Sequence, residues 1–227
     1  MTRRQRPIVP AQLNFKKQRD ALTRLPLGER FEHIIRTNLW AAGSKSGLGS
    51  ELGATAHLRS VLPAFLARHG VRSMLDVPCG DFGWLSMVDL SIRYVGADIV
   101  PSLVAENERR YGGPSSGRQF LTLDLTTDPL PRADLVLCRD CLVHLSFDNI
   151  ERALANIRSS GAALLLTTTF LEHETNDDID DGDWRMVNLE RPPFNLPAPI
   201  DVLVEECKEG EGAYADKALG LWPLEDR

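Results

Sequence analysis

The sequence predicts an α/β fold in which a mainly parallel β-sheet carries helices on both faces. Five short apolar runs follow residue 71: "RSMLDVP", "IRYVGADI", "QFLTLDL", "ADLVLCRD" and "AALLLTTTF". Between them lie two segments of helical character, "PSLVAENERRYG" and "FDNIERALANIRSSG". Strand, helix, strand at this spacing implies right-handed crossovers and parallel pairing. The runs are continuously apolar rather than alternating, as strands are when both sheet faces are covered.

The other elements follow in chain order. About the first forty-five residues are mixed helical and polar, with "RFEHIIRTNLWAA" the strongest helical stretch. The Gly and Ser density of "SKSGLGSELG" marks a loop. "TAHLRSVLPAFLARHG" has apolar residues at helical spacing and ends in Gly70, a suitable C-cap. After the fifth run comes a long polar insert, "EHETNDDIDDGDWRMVNLERPPFNLPAP", whose Trp184, Met186, Leu189 and Phe194 predict an ordered loop. "IDVLVEECKE" and "ALGLWPL" are strand-like, and "GEGAYADK" between them holds turn residues and no helical pattern. An antiparallel hairpin appended to the sheet is expected. The chain therefore divides into an N-terminal helical and lid segment, residues 1–54, and an α/β domain, residues 55–227.

Composition narrows the function classes. The 227 residues suffice for one substantial domain, and 43% hydrophobic with 26% charged is ordinary for a globular protein. A net charge of −6 disfavours nucleic acid as a partner, because phosphate contacts need clustered Lys and Arg. The exception is local: "MTRRQRP" and "FKKQR" make a basic start, read as a frayed terminus. No apolar run reaches membrane-span length and no secretion signal is apparent, so no membrane partner is expected. Cys79, Cys138, Cys141 and Cys207 do not make a disulfide framework, which points to a reducing cytoplasm. Cys138 and Cys141 form a C-x-x-C without the second half of a zinc site, and are read as small buried residues.

Ligands of open α/β sheets bind at the carboxyl ends of the strands, where strand order reverses. Four such ends carry polar groups here. The first run is followed by "LDVPCGDFGW", with Asp76 at its start and Gly80 and Gly83 leaving the backbone bare. Asp98 closes the second run, about twenty positions on, where an acidic side chain can accept from two ribose hydroxyls. Asp124 closes the third and, with Leu125, could meet an exocyclic amine and a flat base. Arg139 and Asp140 close the fourth, with His144 one helical turn beyond. NAD(P) competes for such a pocket, but its fingerprint wants three glycines, and Phe82 stands mid-loop here. A sulfonium nucleoside needs no phosphate cradle, only close backbone approach, a ribose acceptor and carboxylates for its ammonium.

From about Thr55 to Leu224 the chain resembles the class I S-adenosylmethionine-dependent methyltransferases. The resemblance rests on "LDVPCGDFG", the acidic end of strand two, the "DL" after strand three, "LVHL" after strand four and the terminal hairpin. It implies a Rossmann-like, seven-stranded sheet with the last strand reversed. It departs from the commonest family pattern at Pro78 and Phe82, where glycines are usual, positions that bear on the methionine-end contacts. "SGLGS", "CRDCLVHLS" and "GDWRMVNL" resemble a small bacterial subfamily that acts on glycan or sugar hydroxyls. The resemblance places Asp76 and the Gly80 backbone at the methionine moiety, Asp98 at the ribose, and Asp124 and Leu125 at the adenine. Pro78, Cys79, Phe82, Ile99 and Arg139 complete the cofactor-binding set, and Phe82 is expected to line the pocket. The stretch from Trp40 to Ser50 would fold over the cofactor as a lid.

Methyl transfer to a hydroxyl requires alignment, exclusion of water and removal of a proton. Asp140 and His144 are the candidate bases, His144 the better matched to neutral pH. A Mg²⁺ variant, not favoured, would use Asp140, Asn176 and Asp177. Trp184, Arg185, Asn188 and Phe194 offer aromatic faces and donors for a sugar or other polar small molecule, or alternatively a homodimer interface. No N-P-P-Y motif follows strand four; "CRDC" stands there, favouring an oxygen acceptor. The expected activity is thus O-methylation of a sugar, oligosaccharide or small polar metabolite. The alternatives are a noncatalytic nucleotide- or S-adenosylmethionine-binding module, or an NAD-dependent dehydrogenase-like domain.

Overall fold

A computed structural model describes residues 7, 9–114 and 116–224; the basic stretch at residues 1–6 lies outside them. The strands are β1 (Ser73–Asp76), β2 (Arg93–Asp98), β3 (Arg118–Thr122), β4 (Leu135–Cys138), β5 (Leu164–Phe170), β6 (Asp201–Val204) and β7 (Lys217–Pro223). The helices are α1 (Pro10–Leu22), α2 (Leu27–Arg36), α3 (Ala56–Arg68), α4 (Pro101–Tyr111) and α5 (Phe147–Ser159), with a single short turn, α6 (Glu209–Gly212), between β6 and β7. All seven strands form one sheet in the order β3-β2-β1-β4-β5-β7-β6. β1 pairs parallel with β2 and β4, and β2–β3 and β4–β5 are also parallel. β7 runs antiparallel to both β5 and β6, so it alone is reversed. This is the class I methyltransferase architecture that the sequence implies.

The pleat sends successive side chains to opposite faces, and the continuous apolar runs supply a core on each. Met74, Leu135 and Leu137 pack beneath Leu58, Leu62 and Phe65 of α3. Their neighbours Leu75 and Val136 face Ile150, Leu154 and Ile157 of α5. Local chemistry starts these helices: Ser146 caps α5 by accepting from the Asn149 N–H at 3.4 Å, and Pro101 opens α4. A smaller cluster of Phe15, Leu22, Ile34 and Leu39 joins α1 to α2. The insert is ordered as expected, with Leu189 fully buried and Trp184, Met186 and Phe194 packed against the core. No helix among the described residues is long and apolar enough to cross a membrane.

One loop residue goes where the sequence reading did not put it. Phe82 is 1% exposed and belongs to the α3-side core rather than to any cavity wall. Its ring lies 4.9 Å from Tyr94, 5.1 Å from Tyr111 and 5.2 Å from Phe120, with the Arg118 guanidinium 5.2 Å above it. Left-handed backbone at Gly80 (φ 54°) and Phe82 (φ 54°) doubles the loop back on itself and directs the ring into this aromatic cluster. Phe82→Ala should therefore cost about 3–5 kcal/mol of unfolding free energy. Urea denaturation checks this, and a loss small enough to be typical of surface positions would contradict the placement.

Candidate functional site

A cleft of about 920 Å³, counted out to its mouth, opens at the carboxyl ends of β1 to β4, where strand order reverses. Asp76, the last residue of β1, is buried and accepts from the Tyr94 hydroxyl at 2.7 Å. Asp98, the last residue of β2, accepts from the N–H groups of Gly80 (3.0 Å) and Val100 (2.9 Å), tying the glycine loop to the strand. Burial pushes the Asp76 carboxyl up to about 7, and the Tyr94 bond only partly opposes it. Burial likewise raises Asp98 to about 6 against the pull of the Val100, Gly80 and Ile99 backbone donors. Neither carboxylate has an ion-pair partner among the described residues. Beyond β3, one oxygen of Asp124 holds the Thr126 N–H and hydroxyl at 2.8 and 2.7 Å, beside buried Leu123 and Leu125.

The N-terminal segment covers this cleft. Leu27, Phe31 and Ile35, spaced i, i+4, i+8 on α2, turn a half-buried apolar stripe into it. The following loop is clasped by Asp81, a residue without an assigned role in the sequence reading. Asp81 accepts from the Ser44 hydroxyl (2.8 Å) and the Lys45 N–H (3.0 Å), while its own N–H donates to Ser46 Oγ (2.8 Å). A Cβ on Gly80 would fall on Ser46 Oγ, so the bare backbone at Gly80 makes room for this loop. The only hint of the clasp in the sequence is the matching of a Ser-rich loop with an Asp in a glycine turn.

A second cavity of about 620 Å³, likewise counted out to its mouth, adjoins the first, and Trp40, Ser46, Asp140 and His144 line both. The Trp40 and His144 rings stack 4.8 Å apart at 29°. His144 Nδ1 lies 2.7 Å from the Asp183 carbonyl, which can only accept. Nδ1 therefore carries the proton, and Nε2 keeps a lone pair with no partner among the described residues. Burial lowers His144 to about 4, so the ring is neutral at neutral pH but a weaker base than a free imidazole, a correction to the expectation that its pKa matches neutral pH. Asp140 is held differently. Its backbone sits in the left-handed region (φ 52°), its N–H donates to Thr168 Oγ1 (2.8 Å), and its carboxylate meets Lys217 Nζ (2.7 Å) and Arg139 Nη1 (3.2 Å). Burial would raise this carboxyl, but Arg139 and Lys217 outweigh it and hold it well below the usual range. Asp140 is thus permanently ionised and a poor proton acceptor, a correction to its reading as a possible base. Arg139 and Lys217 are both neutralised again by buried Glu205, at 2.6 and 3.5 Å.

Of the residues expected at the cofactor, Trp40, Ser50, Asp76, Pro78, Cys79, Gly80, Asp98, Ile99, Asp124, Leu125 and Arg139 all line the cleft, and only Phe82 does not. The expected acceptor set divides. Trp184 lines the second cavity. Arg185 instead donates to the carbonyls of Leu142 and Leu145, both at 2.6 Å, and Asn188 donates to that of His173 at 2.9 Å. Phe194 packs edge-on against Phe147 at 5.3 Å. These three brace the insert against the scaffold, because a long loop laid over a sheet must satisfy its own buried carbonyls. Asn176 is also a brace: its amide donates to the Asn188 carbonyl at 2.9 Å, so it does not join Asp140 in a Mg²⁺ site. Among the described residues no group of three or more His, Cys, Asp or Glu side chains could hold a metal ion. Cys138 is buried, Cys141 is half-buried, and both are free thiols.

No protein-family model matches the chain. No curated protein matches it either. Solved structures do. The methyltransferase domain of bacterial CtHen1-C aligns over 75% of this chain and 98% of its own, with TM-score 0.55 and 15% identity. The [4+2]-cyclase SpnF aligns over 73% and 70%, with TM-score 0.54 and 18% identity. The chain spans 58% of the PH0226 protein from Pyrococcus horikoshii OT3, which matches over 51% of this chain at 19% identity and TM-score 0.43. Likeness at these identities shows a shared fold, the Rossmann-like class I methyltransferase fold.

Two variants test the site geometry. A Cβ on Gly49 would lie 2.8 Å from Asp140 Oδ2 and 3.1 Å from Lys217 Nζ, so Gly49→Ala should disturb that pair and lower thermal stability. Asp76 and Asp98 are raised above the unfolded-state value of 3.8, so their contribution is full below about pH 4 and is lost as pH rises through about 6 to 7. Asp76→Asn should therefore stabilise the ligand-free protein at pH 8, by up to about 4 kcal/mol, and much less at pH 5. Melting curves at the two pH values read the difference.

Proposed function

We propose that the chain is an S-adenosylmethionine-dependent methyltransferase that O-methylates a hydroxyl of a sugar, oligosaccharide or other small polar metabolite. The observation that carries this reading is the pair of buried, unpaired carboxylates, Asp76 and Asp98, in a cleft at the switch point of the sheet. Carboxylates whose proton affinity is raised by burial gain most from a bound cation. S-adenosylmethionine supplies, when bound, a methyl group activated by a sulfonium. Asp76 would take its ammonium and Asp98 its ribose hydroxyls. Leu123, Leu125 and the apolar stripe of α2 would cover the adenine. Residues 1–54 act in this reading as a lid on the domain formed by residues 55–227, with Trp40 excluding water.

His144 is the proton acceptor in this scheme. Its Nδ1–H is fixed by the Asp183 carbonyl, and Nε2 is presented between cofactor cleft and acceptor cavity. Asp140, ionised at the same junction, would accept a hydrogen bond from the acceptor hydroxyl and orient it. A [4+2]-cyclase shares this fold, so other chemistry on the same scaffold is the competing reading.

S-adenosylhomocysteine should raise the melting temperature, and NAD(H) should not. Labelled S-adenosylmethionine against a panel of glycans and hydroxylated metabolites then tests methyl transfer. His144→Gln should lower kcat by about 10²-fold or more while leaving S-adenosylhomocysteine affinity unchanged; an unaltered kcat removes His144 from the role. The pH profiles separate the groups. At saturating S-adenosylmethionine, kcat should hold down to about pH 5 and fall through about 4, as His144 gains its proton. By contrast, kcat/KM for S-adenosylmethionine should already decline through about 7 and 6, as Asp76 and Asp98 are protonated.

A further inference from the structure

The second cavity has a charge imbalance that the proposed reaction does not use. Lys217 Nζ sits between Asp140 (2.7 Å) and Glu205 (3.5 Å), and Arg139 contacts the same two carboxylates. The two cations are thereby matched by two carboxylates. Glu209 is a third carboxylate at this group, its Oε1 3.7 Å from where a Cβ on Gly49 would stand. It lines the cavity half-buried, with no hydrogen bond or ion pair to its side chain among the described residues. Burial raises its carboxyl, Lys217 and Arg139 oppose the rise, and Asp140 and Glu205 add to it. Three aromatic residues share the lining of this cavity. Phe170 packs edge-on with Trp184 and Tyr214 (6.3 Å each), and those two meet at 5.5 Å. A carboxylate in excess of its neighbouring cations, in a cavity that Phe170, Trp184 and Tyr214 also line, is an environment suited to an ammonium group.

We propose that the acceptor carries an ammonium group, as an amino sugar or similar amine-bearing polyol does, and that Glu209 is the specificity-determining residue that binds it. This rests on the methyltransferase reading for the word acceptor, but the cavity's preference for an amine stands on its own geometry. Glu209 lines the second cavity and not the cofactor cleft. The ammonium is therefore bound away from the sulfonium, and the hydroxyl of the same molecule is presented to His144. A carboxylate-bearing sugar is rejected by the uncompensated charge of Glu209.

The test is isothermal titration of the whole protein with D-glucosamine, N-acetyl-D-glucosamine, D-glucose and D-glucuronate, with and without S-adenosylhomocysteine. Glucosamine should bind about ten-fold or more tightly than the other three. Glu209→Gln should erase that preference, while the S-adenosylhomocysteine-induced rise in melting temperature stays at the parent value and shows an intact fold. Trp184→Leu should weaken glucosamine binding in the same way. Glucuronate or N-acetylglucosamine binding as tightly as glucosamine, no binding of glucosamine, or a preference that survives in Glu209→Gln would each overturn the proposal. Failure of S-adenosylhomocysteine to bind would instead sink the methyltransferase reading, and the titrations without it would still report on the amine.

Discussion

The ionic group Arg139–Glu205–Lys217–Asp140 joins the ends of β4, β6 and β7 to the loop at Gly49. Arg139 follows β4, Glu205 follows β6, Lys217 begins β7, and an Arg139 Nη2–H reaches the Gly49 carbonyl of the N-terminal segment at 2.7 Å. Each member is poorly solvated, so none is tolerable alone: removing one partner of a buried ion pair typically costs about 3–5 kcal/mol. Mutual neutralisation therefore ties the reversed hairpin and the N-terminal loop to the parallel core. It also fixes the charge of Asp140, which stays ionised beside a neutral histidine. Both groups are shifted downward, Asp140 by its cationic neighbours and His144 by burial, so at neutral pH a charged carboxylate stands a few residues from an uncharged ring.

The cleft shows the opposite electrostatic condition. Asp76 and Asp98 sit at strand ends without counter-ions, and burial raises the free energy of their charged forms. That penalty weakens the ligand-free fold at neutral pH and is relieved when a cation arrives, so part of the stability withheld here becomes affinity. Tyr94 and the backbone donors of Gly80 and Val100 limit the penalty without abolishing it.

Closure of the cleft depends on the N-terminal segment. The apolar stripe of α2 has the cleft as its counterpart, and the clasp at Asp81 holds the next loop against the glycine turn. Trp40 consequently stacks on His144, and the two rings stand where the first cleft and the second cavity meet.

Much of this was legible in the chain itself. Continuous apolar runs and helical spacing are local signals, so the seven strands, the reversed hairpin and the acidic strand ends Asp76, Asp98 and Asp124 could be placed without coordinates. A strand end has one position relative to the sheet, and the ligand crevice follows from it. What the sequence could not decide were contacts between segments far apart in it. Phe82 looked like a pocket residue until the left-handed turn buried it among Tyr94, Tyr111 and Phe120. Arg185 and Asn188 looked like substrate donors, but the carbonyls of neighbouring loops claim them. Asp140 looked like a base until Lys217, seventy-seven positions away, neutralised it. Residue type determined where charge lay along this chain, and tertiary structure alone decided which charges met a partner, because burial and pairing depend on what the fold brings within a few ångströms.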